Sequence, residues 1–108
     1  MGENSLKHLG DISAEIVGVQ YYDGTVASGE KVIFERELNN PCDENAIKVE
    51  NVDFKQIGHL PRKMARWLSP LIDQGILQID GYISHNGSNN KEIPVKLKLY
   101  VPKHREKE

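Results

Sequence analysis

The side chains of this sequence best suited to bind a metal ion or act in catalysis are those of Cys42, Asp43, His59 and His85. Their spacing does not support a metal site, because neither C-x-x-C nor H-x-x-x-H occurs in the chain. No histidine–aspartate pair is spaced to activate Cys42, so we expect a passive thiol. The sequence also lacks a glycine-rich phosphate loop, a nucleophile elbow and paired catalytic carboxylates. We therefore predict neither an enzyme nor a metal or cofactor site.

The aromatic and basic residues allow a structural interpretation beside a binding one. Tyr21 and Tyr22 are adjacent in a predicted strand, so their rings would face opposite ways and one would pack against the core. Asp43 could serve only to shape its loop, by accepting hydrogen bonds from nearby backbone N–H groups. Ordinary surface roles, including the blunting of an edge strand, would suit the other basic side chains: His59, Arg62, Lys63, Arg66, Lys96 and Lys98.

The composition indicates one small domain. The chain has 108 residues, of which 38% are hydrophobic, enough for one modest core. Its net charge is −2, from 14 basic and 16 acidic residues, so a nucleic-acid partner would require basic residues to gather on one face. One cysteine cannot form an internal disulfide, and no membrane-length apolar run or signal peptide occurs. We expect an intracellular monomer without a membrane partner, nuclear if the source is eukaryotic.

Short segments in which apolar and polar residues alternate predict six strands. The segments span residues 12–22, 31–38, 46–52, 56–60, 77–84 and 93–101. Gly18 is expected at a bend or bulge in the first of them. The residues expected to face the core are Ile16, Val17, Val19, Val32, Phe34, Leu38, Ile47, Val49, Val95, Leu97 and Leu99.

One helix is predicted between the fourth and fifth strands. Pro61 suits its first position and Gly75 its end. Pro70 lies inside the predicted helix, so we expect a kink or a restart there. Apolar residues at helical spacing are assigned to packing: Met64, Trp67, Leu68, Leu71 and Ile72.

The order of the elements predicts a mainly β fold, with five to six strands closed around one core and one or two short helices plugging an end. Periodicity alone leaves a small barrel and a barrel-like sandwich open. We expect the domain at residues 11–102, between a flexible tail at residues 1–10 and a solvated tail at residues 103–108.

Four stretches of the sequence together resemble the HIRAN family. They are V-G-V-Q-Y-Y-D-G from Val17 to Gly24, E-R-E-L-N-N-P-C-D-E-N-A-I-K-V from Glu35 to Val49, I-G-H-L-P from Ile57 to Pro61, and the helix and strand that follow. Their order is that of the family, and the resemblance covers residues 12–101. Its most specific part is N-P-x-D-x-N-A-I-x-V, whose valine is followed nine residues later by G-H-L.

The resemblance implies a small OB-like β-barrel that binds DNA and has no catalytic activity. Family members are usually attached to helicase-like, chromatin-remodeller-related DNA translocases that act on stalled replication forks. There, two aromatic side chains hold the last base of a strand, an aspartate accepts a hydrogen bond from the 3′ hydroxyl, and basic residues hold phosphates. The expected partner is single-stranded DNA with a free 3′ hydroxyl, and the domain could belong to a larger helicase or nuclease polypeptide.

Carried over by position, the resemblance assigns roles to individual residues. Tyr21 and Tyr22 match the aromatic pair, on which a stacked base is worth about 1–3 kcal/mol. Asp43 matches the position that binds the hydroxyl, where a carboxylate would repel a 3′ phosphate. His59 and Arg62 match the phosphate contacts, near the free N–H groups of the helix N-terminus. The expected DNA-binding residues are Tyr21, Tyr22, Asp43, His59, Arg62, Lys63 and Lys91.

Two positions depart from the family. Cys42 occurs where members that clamp the end base from both sides have a tyrosine, so half of that clamp is missing. Lys91 lies near the position of another stacking aromatic and could exchange stacking for attraction to phosphates. We therefore expect weaker or less end-selective binding than in members that have both rings.

Two other functions remain open at this point. A protein-interaction module could use the same barrel if Cys42 and Lys91 have removed DNA binding, and the acidic net charge fits this alternative. A small nuclease would need a cluster of metal-binding carboxylates, which the sequence does not indicate.

Overall fold

The alternating segments form antiparallel strands, and the segment with helical spacing forms a helix. The computed structural model describes residues 5–84 and 92–103, and the elements below are those of this part of the chain. Helix α1 spans Arg62–Asp73, and a 3-10 turn spans Val19–Tyr21. The strands are β1 (Leu6–Val17), β2 (Lys31–Arg36), β3 (Ile47–Glu50), β4 (Gln56–His59), β5 (Gln78–Ile83) and β6 (Glu92–Pro102).

The strands close into a barrel in the order β1-β4-β3-β2-β5-β6. Strands β1 and β6 pair along their whole length, beginning with Leu6 opposite Pro102. The predicted mainly β fold is confirmed, and so is the barrel, which the resemblance implied and which periodicity alone left open beside a sandwich. Lys96 and Lys98 do not protect an exposed strand edge from pairing with another chain, because β6 is paired with β1 on one side and with β5 on the other.

Branched aliphatic side chains on the inner face of the strands form the core. Burial of such side chains is the main source of stability in a barrel of this size. The strand residues that are 1% exposed or less are Ile16, Val32, Ile47, Val49, Ile57, Ile83, Val95 and Leu97.

Gly58 brings β4 against the end of β1. A Cβ at Gly58 would lie 2.4 Å from the carbonyl oxygen of Val17, so a larger residue would force the two strands apart. Val17 is paired with His59, the last residue of β4. The absence of a side chain at Gly58 therefore fixes where His59 emerges from the barrel.

The predicted first strand is displaced along the sequence. The flexible tail expected at residues 1–10 is too long, because β1 begins at Leu6, where it pairs with the end of β6. At the other end, Gly18 adopts φ 73°, a left-handed conformation that ends the strand. The 3-10 turn then carries Tyr21 away from the sheet, so the two tyrosines do not share a strand.

The other predicted strands agree with the observed ones to within two residues at each end. Leu38 was expected in the core but is 70% exposed, because β2 ends at Arg36. At the C-terminus β6 ends at Pro102, and the backbone N–H of Lys103 donates to the carbonyl of Ser5 at 3.2 Å. Residues 104–108 of the predicted C-terminal tail lie outside the described residues.

Helix α1 differs from its prediction at two residues. Pro70 does not restart the helix, which is continuous to Asp73. Proline has no N–H, so the carbonyl one turn earlier in the helix loses its hydrogen-bond donor. Pro70 is on the exposed side of α1, where water can hydrate that carbonyl. Trp67 was assigned to packing but is 47% exposed, because the helix buries Ala65 and Leu68 on its opposite face. Within the described ranges, no helix has the length and apolar content needed to cross a bilayer.

Candidate nucleic-acid interface

A pocket of about 210 Å³ lies where the β2–β3 loop, the end of β4 and the start of α1 meet. It brings together three of the predicted site residues: Asp43 from the loop, His59 from β4 and Arg62 from the helix. Its full lining is Val17, Asn40, Cys42, Asp43, Ala46, His59, Leu60 and Arg62. The predicted residues of three separate segments therefore share one concave surface.

Side-chain hydrogen bonds to the backbone give the β2–β3 loop its shape. The Asn40 Oδ1 atom accepts the N–H groups of Cys42 at 2.8 Å and Asp43 at 3.0 Å. The Asp43 Oδ1 atom accepts the N–H of Asn45 at 2.9 Å. Such turns are what asparagine and aspartate form most readily in loops. The structural interpretation of Asp43 is thus correct for one of its two oxygens.

The second oxygen of Asp43 faces a cation. Asp43 Oδ2 lies 3.8 Å from Nε of Arg62, whose side chain is 70% exposed. The Nη2 atom of Arg62 also donates to the carbonyl oxygen of Cys42, at 3.3 Å. A carboxylate oxygen and a guanidinium group therefore border the same small pocket, and a ligand there could contact both.

Glu37 connects His59 to the loop. The Nε2–H of His59 donates to Oε1 of Glu37 at 2.6 Å, and the amide of Asn40 donates to the same oxygen at 3.0 Å. Burial, the largest single influence, raises the pKa of Glu37, but the hydrogen bonds from His59 and Asn40 and the nearby positive charges outweigh it and hold this pKa below its ordinary value of 4.5. The carboxylate thus orients the imidazole and the loop together.

The two tyrosines have different surroundings. Tyr21 is 77% exposed, so most of its side chain is open to solvent. The ring of Tyr22 lies edge-on against His59, with centroids 5.8 Å apart and an interplanar angle of 61°. Tyr22 therefore supports a wall of the pocket through His59, and Tyr21 is an exposed aromatic side chain in the preceding 3-10 turn.

Among the other predicted DNA-binding residues that the structure describes, Tyr21, Tyr22 and Lys63 are not in the pocket lining. Lys63 is exposed on the next position of α1. Lys91 and His85 lie outside the described residues. Cys42, the position that departs from the family, is an exposed free thiol at the pocket edge. Over residues 5–84 and 92–103, no three side chains of histidine, cysteine, aspartate or glutamate are grouped to hold a metal ion.

Sequence reasoning missed Glu37 and Asn40, which support the pocket without belonging to a recognisable binding motif. Asn40 precedes Pro41 in a loop, and that composition indicates a side chain that caps backbone groups. Nothing in the alternation of β2 indicates that Glu37 would meet His59, because this contact depends on how β2 and β4 flank β3.

A larger depression, of about 680 Å³, lies near the end of α1. Its lining is mostly apolar, with side chains such as Phe34, Ile72, Leu77 and Tyr100, and contains none of the predicted site residues. Its volume is about three times that of the smaller pocket. The smaller pocket is the better candidate because it gathers Asp43, His59 and Arg62, three of the residues to which the family resemblance assigns DNA contacts.

Replacing Glu37 with glutamine should lower the free energy of unfolding by about 1 kcal/mol at neutral pH, because a charge-assisted hydrogen bond becomes a neutral one. The lowered pKa means that the carboxylate stabilises the fold above pH 4.5 and that this contribution is lost as the pH falls through the folded-state value. Urea unfolding at pH 7 and at about pH 3 should therefore show the gap between wild type and Glu37→Gln closing in acid.

Glu35→Gln is the matched control, since the Glu35 side chain is 60% exposed and lies 3.7 Å from Lys48. Its effect should be smaller at both pH values. A gap for Glu37→Gln that stays constant between neutral and acid pH would show that the ionised carboxylate contributes nothing.

Comparison with known proteins extends over nearly the whole chain. A family model described as the HIRAN domain matches residues 9–104. The helicase-like transcription factor of Mus musculus is 36% identical over 98 residues, which cover 91% of this chain and 10% of the relative. The chain thus spans about a tenth of the length of that relative.

Solved structures share the fold. The crystal structure of the HIRAN domain of human HLTF has a TM-score of 0.88 and 32% identity, and the match covers 97% of this chain and 87% of the other. An NMR structure of the HLTF HIRAN domain in its DNA-bound conformation has a TM-score of 0.80 and 33% identity, with coverage of 97% and 86%.

Proposed function

This chain belongs to the HIRAN domain family, and on that basis we propose that it is a non-catalytic DNA-binding module that recognises the 3′ end of a single strand. Binding of DNA is supported by the similarity to an HLTF HIRAN domain in a DNA-bound conformation. Recognition of the strand end is supported by one feature above all: the free oxygen of Asp43 and the guanidinium of Arg62 border the same pocket.

The chemistry of a strand end fits this pair of groups. The terminal 3′ hydroxyl donates a hydrogen bond to Asp43 Oδ2, which the loop does not use. The phosphate on the 5′ side of the same nucleotide is attracted by the guanidinium of Arg62, and His59, held by Glu37, forms the adjoining wall of the pocket. A 3′ phosphate would bring two or more negative oxygens against the carboxylate, so the pocket selects a free hydroxyl by repulsion as well as by attraction.

Tyr21 supplies the stacking surface for the terminal base. Stacking is worth about 1–3 kcal/mol and tolerates any base, which suits a module that reads the end of a strand and not its sequence. Cys42 offers no ring on the opposite side of the pocket. The base is therefore held from one side, and binding is weaker than with a two-sided clamp.

The module acts within a larger protein. Because the chain spans about a tenth of the length of a helicase-like transcription factor, the activities of such proteins are not properties of this domain. We infer that the domain directs an attached DNA translocase or repair factor to exposed 3′ ends at stalled forks or damaged DNA. In a eukaryotic source this assigns it to the nucleus.

Affinity for a labelled single strand should fall as salt rises, because each phosphate contact releases condensed counterions. The slope of log affinity against log salt should be about −0.7 for each contacted phosphate. Arg62→Ala should make the slope shallower by about 0.7, and Arg62→Lys should keep it, because lysine retains the charge. Fluorescence anisotropy of a 3′-hydroxyl oligonucleotide over a series of salt concentrations measures this. A flat response of the wild-type chain would contradict binding through phosphates.

A further inference from the structure

The outward face of α1 carries an exposed tryptophan beside two cations. The helix buries Ala65 and Leu68 against the barrel, so residues on the opposite side face solvent. There Lys63 and Arg66 are exposed, and Trp67 is 47% exposed. A half-exposed tryptophan that the core does not need is a large flat surface available to a partner.

Positive charge dominates this face. From Arg62 to Ile72 the helix has three basic residues and no carboxylate. The first acidic residue of the helix, Asp73, is engaged by the guanidinium of Arg36 at 2.9 Å. Over the described parts of the chain, neither Lys63 nor Arg66 forms an ion pair. An anionic partner would meet cations that are not already neutralised.

The face is continuous with the pocket at the strand end. Arg62 lines that pocket and begins the helix. Lys63, Arg66 and Trp67 follow within five residues, a rise of about 7.5 Å along the helix axis. A strand that leaves the pocket past Arg62 would reach Trp67 within its next few nucleotides.

We propose that this face, made of Lys63, Arg66 and Trp67, binds the nucleotides that precede the 3′ end of the same single strand. Trp67 stacks a base, and Lys63 and Arg66 contact the flanking phosphates. This combination of an exposed aromatic ring and neighbouring cations is the one that single strands require. The inference rests on the proposed function, because it extends the path of the strand bound in the pocket. Trp67 also compensates for the absence of an aromatic ring at Cys42, because it adds a stacking surface farther along the strand.

Trp67 is the only tryptophan of the chain, so its fluorescence reports on this face alone. Two 3′-hydroxyl oligonucleotides distinguish the pocket from the helix: a dinucleotide that fills the pocket and an octanucleotide that continues past it. The octanucleotide should quench the tryptophan emission and bind about tenfold more tightly than the dinucleotide, which should leave the emission nearly unchanged.

Variants of the helix face should act only on the longer strand. Trp67→Ala should weaken binding of the octanucleotide about tenfold and leave dinucleotide binding unchanged, and Trp67→Phe should recover part of the loss. Lys63→Ala combined with Arg66→Ala should make the salt slope for the octanucleotide shallower by about 1.4. Circular dichroism of each variant verifies that the helix is intact.

The two proposals fail in different ways. If the octanucleotide binds, but without quenching and equally well to wild type and Trp67→Ala, the helix face does not bind DNA and is available to a protein partner, and the end-binding pocket stands. If neither oligonucleotide binds the wild-type chain, both proposals are wrong. If Trp67→Ala weakens both oligonucleotides equally, Trp67 acts on the pocket and not on the preceding nucleotides, which overturns this inference.

Discussion

Replacing Arg36 with methionine should lower the free energy of unfolding by about 2–3 kcal/mol. Arg36 is at an inward position of β2, in register with Val32 and Phe34, and its side chain is only 12% exposed. Methionine keeps most of the side-chain length and its apolar packing. The substitution therefore isolates the contribution of the guanidinium group.

The guanidinium of Arg36 joins three parts of the protein. Its Nε and Nη2 atoms donate to the two carboxylate oxygens of Asp73 in α1, at 2.9 and 3.0 Å. Its Nη1 and Nη2 atoms donate to the carbonyls of Ala46 at 2.7 Å and Glu44 at 3.0 Å, in the β2–β3 loop. The hydrogen bond from Arg36 holds the pKa of Asp73 below its ordinary value. Bidentate bonds of this kind are among the stronger interactions at a protein surface.

Arg66→Met is the matched control, because Arg66 is an exposed arginine on α1 and its replacement should change stability by no more than about 0.5 kcal/mol. Urea unfolding followed by circular dichroism measures both variants. Arg36→Met should also weaken DNA binding, since the loop that presents Asp43 loses two anchors. Equal stability of the two variants would mean that the network around Arg36 contributes nothing measurable.

The wild-type chain should bind an oligonucleotide with a 3′ hydroxyl about 10 to 100 times more tightly than the same oligonucleotide with a 3′ phosphate. A hydrogen bond to a charged acceptor contributes about 1.5–3 kcal/mol, which corresponds to that ratio. Asp43→Asn should reduce the ratio to near one. Asparagine can still accept the N–H of Asn45, so the turn survives while the negative charge and the free acceptor are lost.

Asp43→Ala extends the test, since it removes both functions of the side chain. It should abolish the preference for the hydroxyl and also lower the stability of the loop, because the N–H of Asn45 loses its acceptor. Fluorescence anisotropy with the two oligonucleotides measures the ratio for each variant. A preference that survives in Asp43→Asn would remove Asp43 from recognition of the strand end.

The strands could be predicted from the sequence because alternation reports directly on which side chains are buried. Val95 and Leu97, expected to face inward, are both 1% exposed or less. Alternation alone could not establish closure, which the family resemblance implied, because closure depends on pairing between β1 and β6, which are far apart in the sequence. The start of β1 was missed for the same reason: Leu6 belongs to a strand only because Pro102 lies opposite it.

The helix shows a different limit of periodicity. A stripe of apolar residues indicated the buried face, and Leu68 is fully buried as expected. Trp67 lies away from the buried residues Ala65 and Leu68, and hydrophobicity alone could not decide whether it faces the core. Arg36 is the converse case, a charged residue at an inward position that is tolerated because its donors are satisfied.

The residues that line the candidate site were predicted, but the residues that hold them in position were not. Asp43, His59 and Arg62, assigned through the family resemblance, line one pocket. Glu37 and Asn40, which hold them in position, were not identified, because the contact between Glu37 in the β2–β3 loop and His59 at the end of β4 depends on how the strands pair. The sequence also could not show that one oxygen of Asp43 accepts the N–H of Asn45 while the other faces Arg62, since either role alone suits an aspartate in such a loop.

Amide chemical shifts of the chain during titration with a 3′-hydroxyl single strand test the central claim most directly. If the last nucleotide of a strand is bound between an aromatic ring, a carboxylate and a guanidinium, the largest shifts should occur at Tyr21, Cys42, Asp43 and Arg62, and a 3′-phosphate strand should produce smaller ones. If these amides stay still at DNA concentrations that saturate binding, or if no amide moves at all, the strand end is not recognised in this pocket.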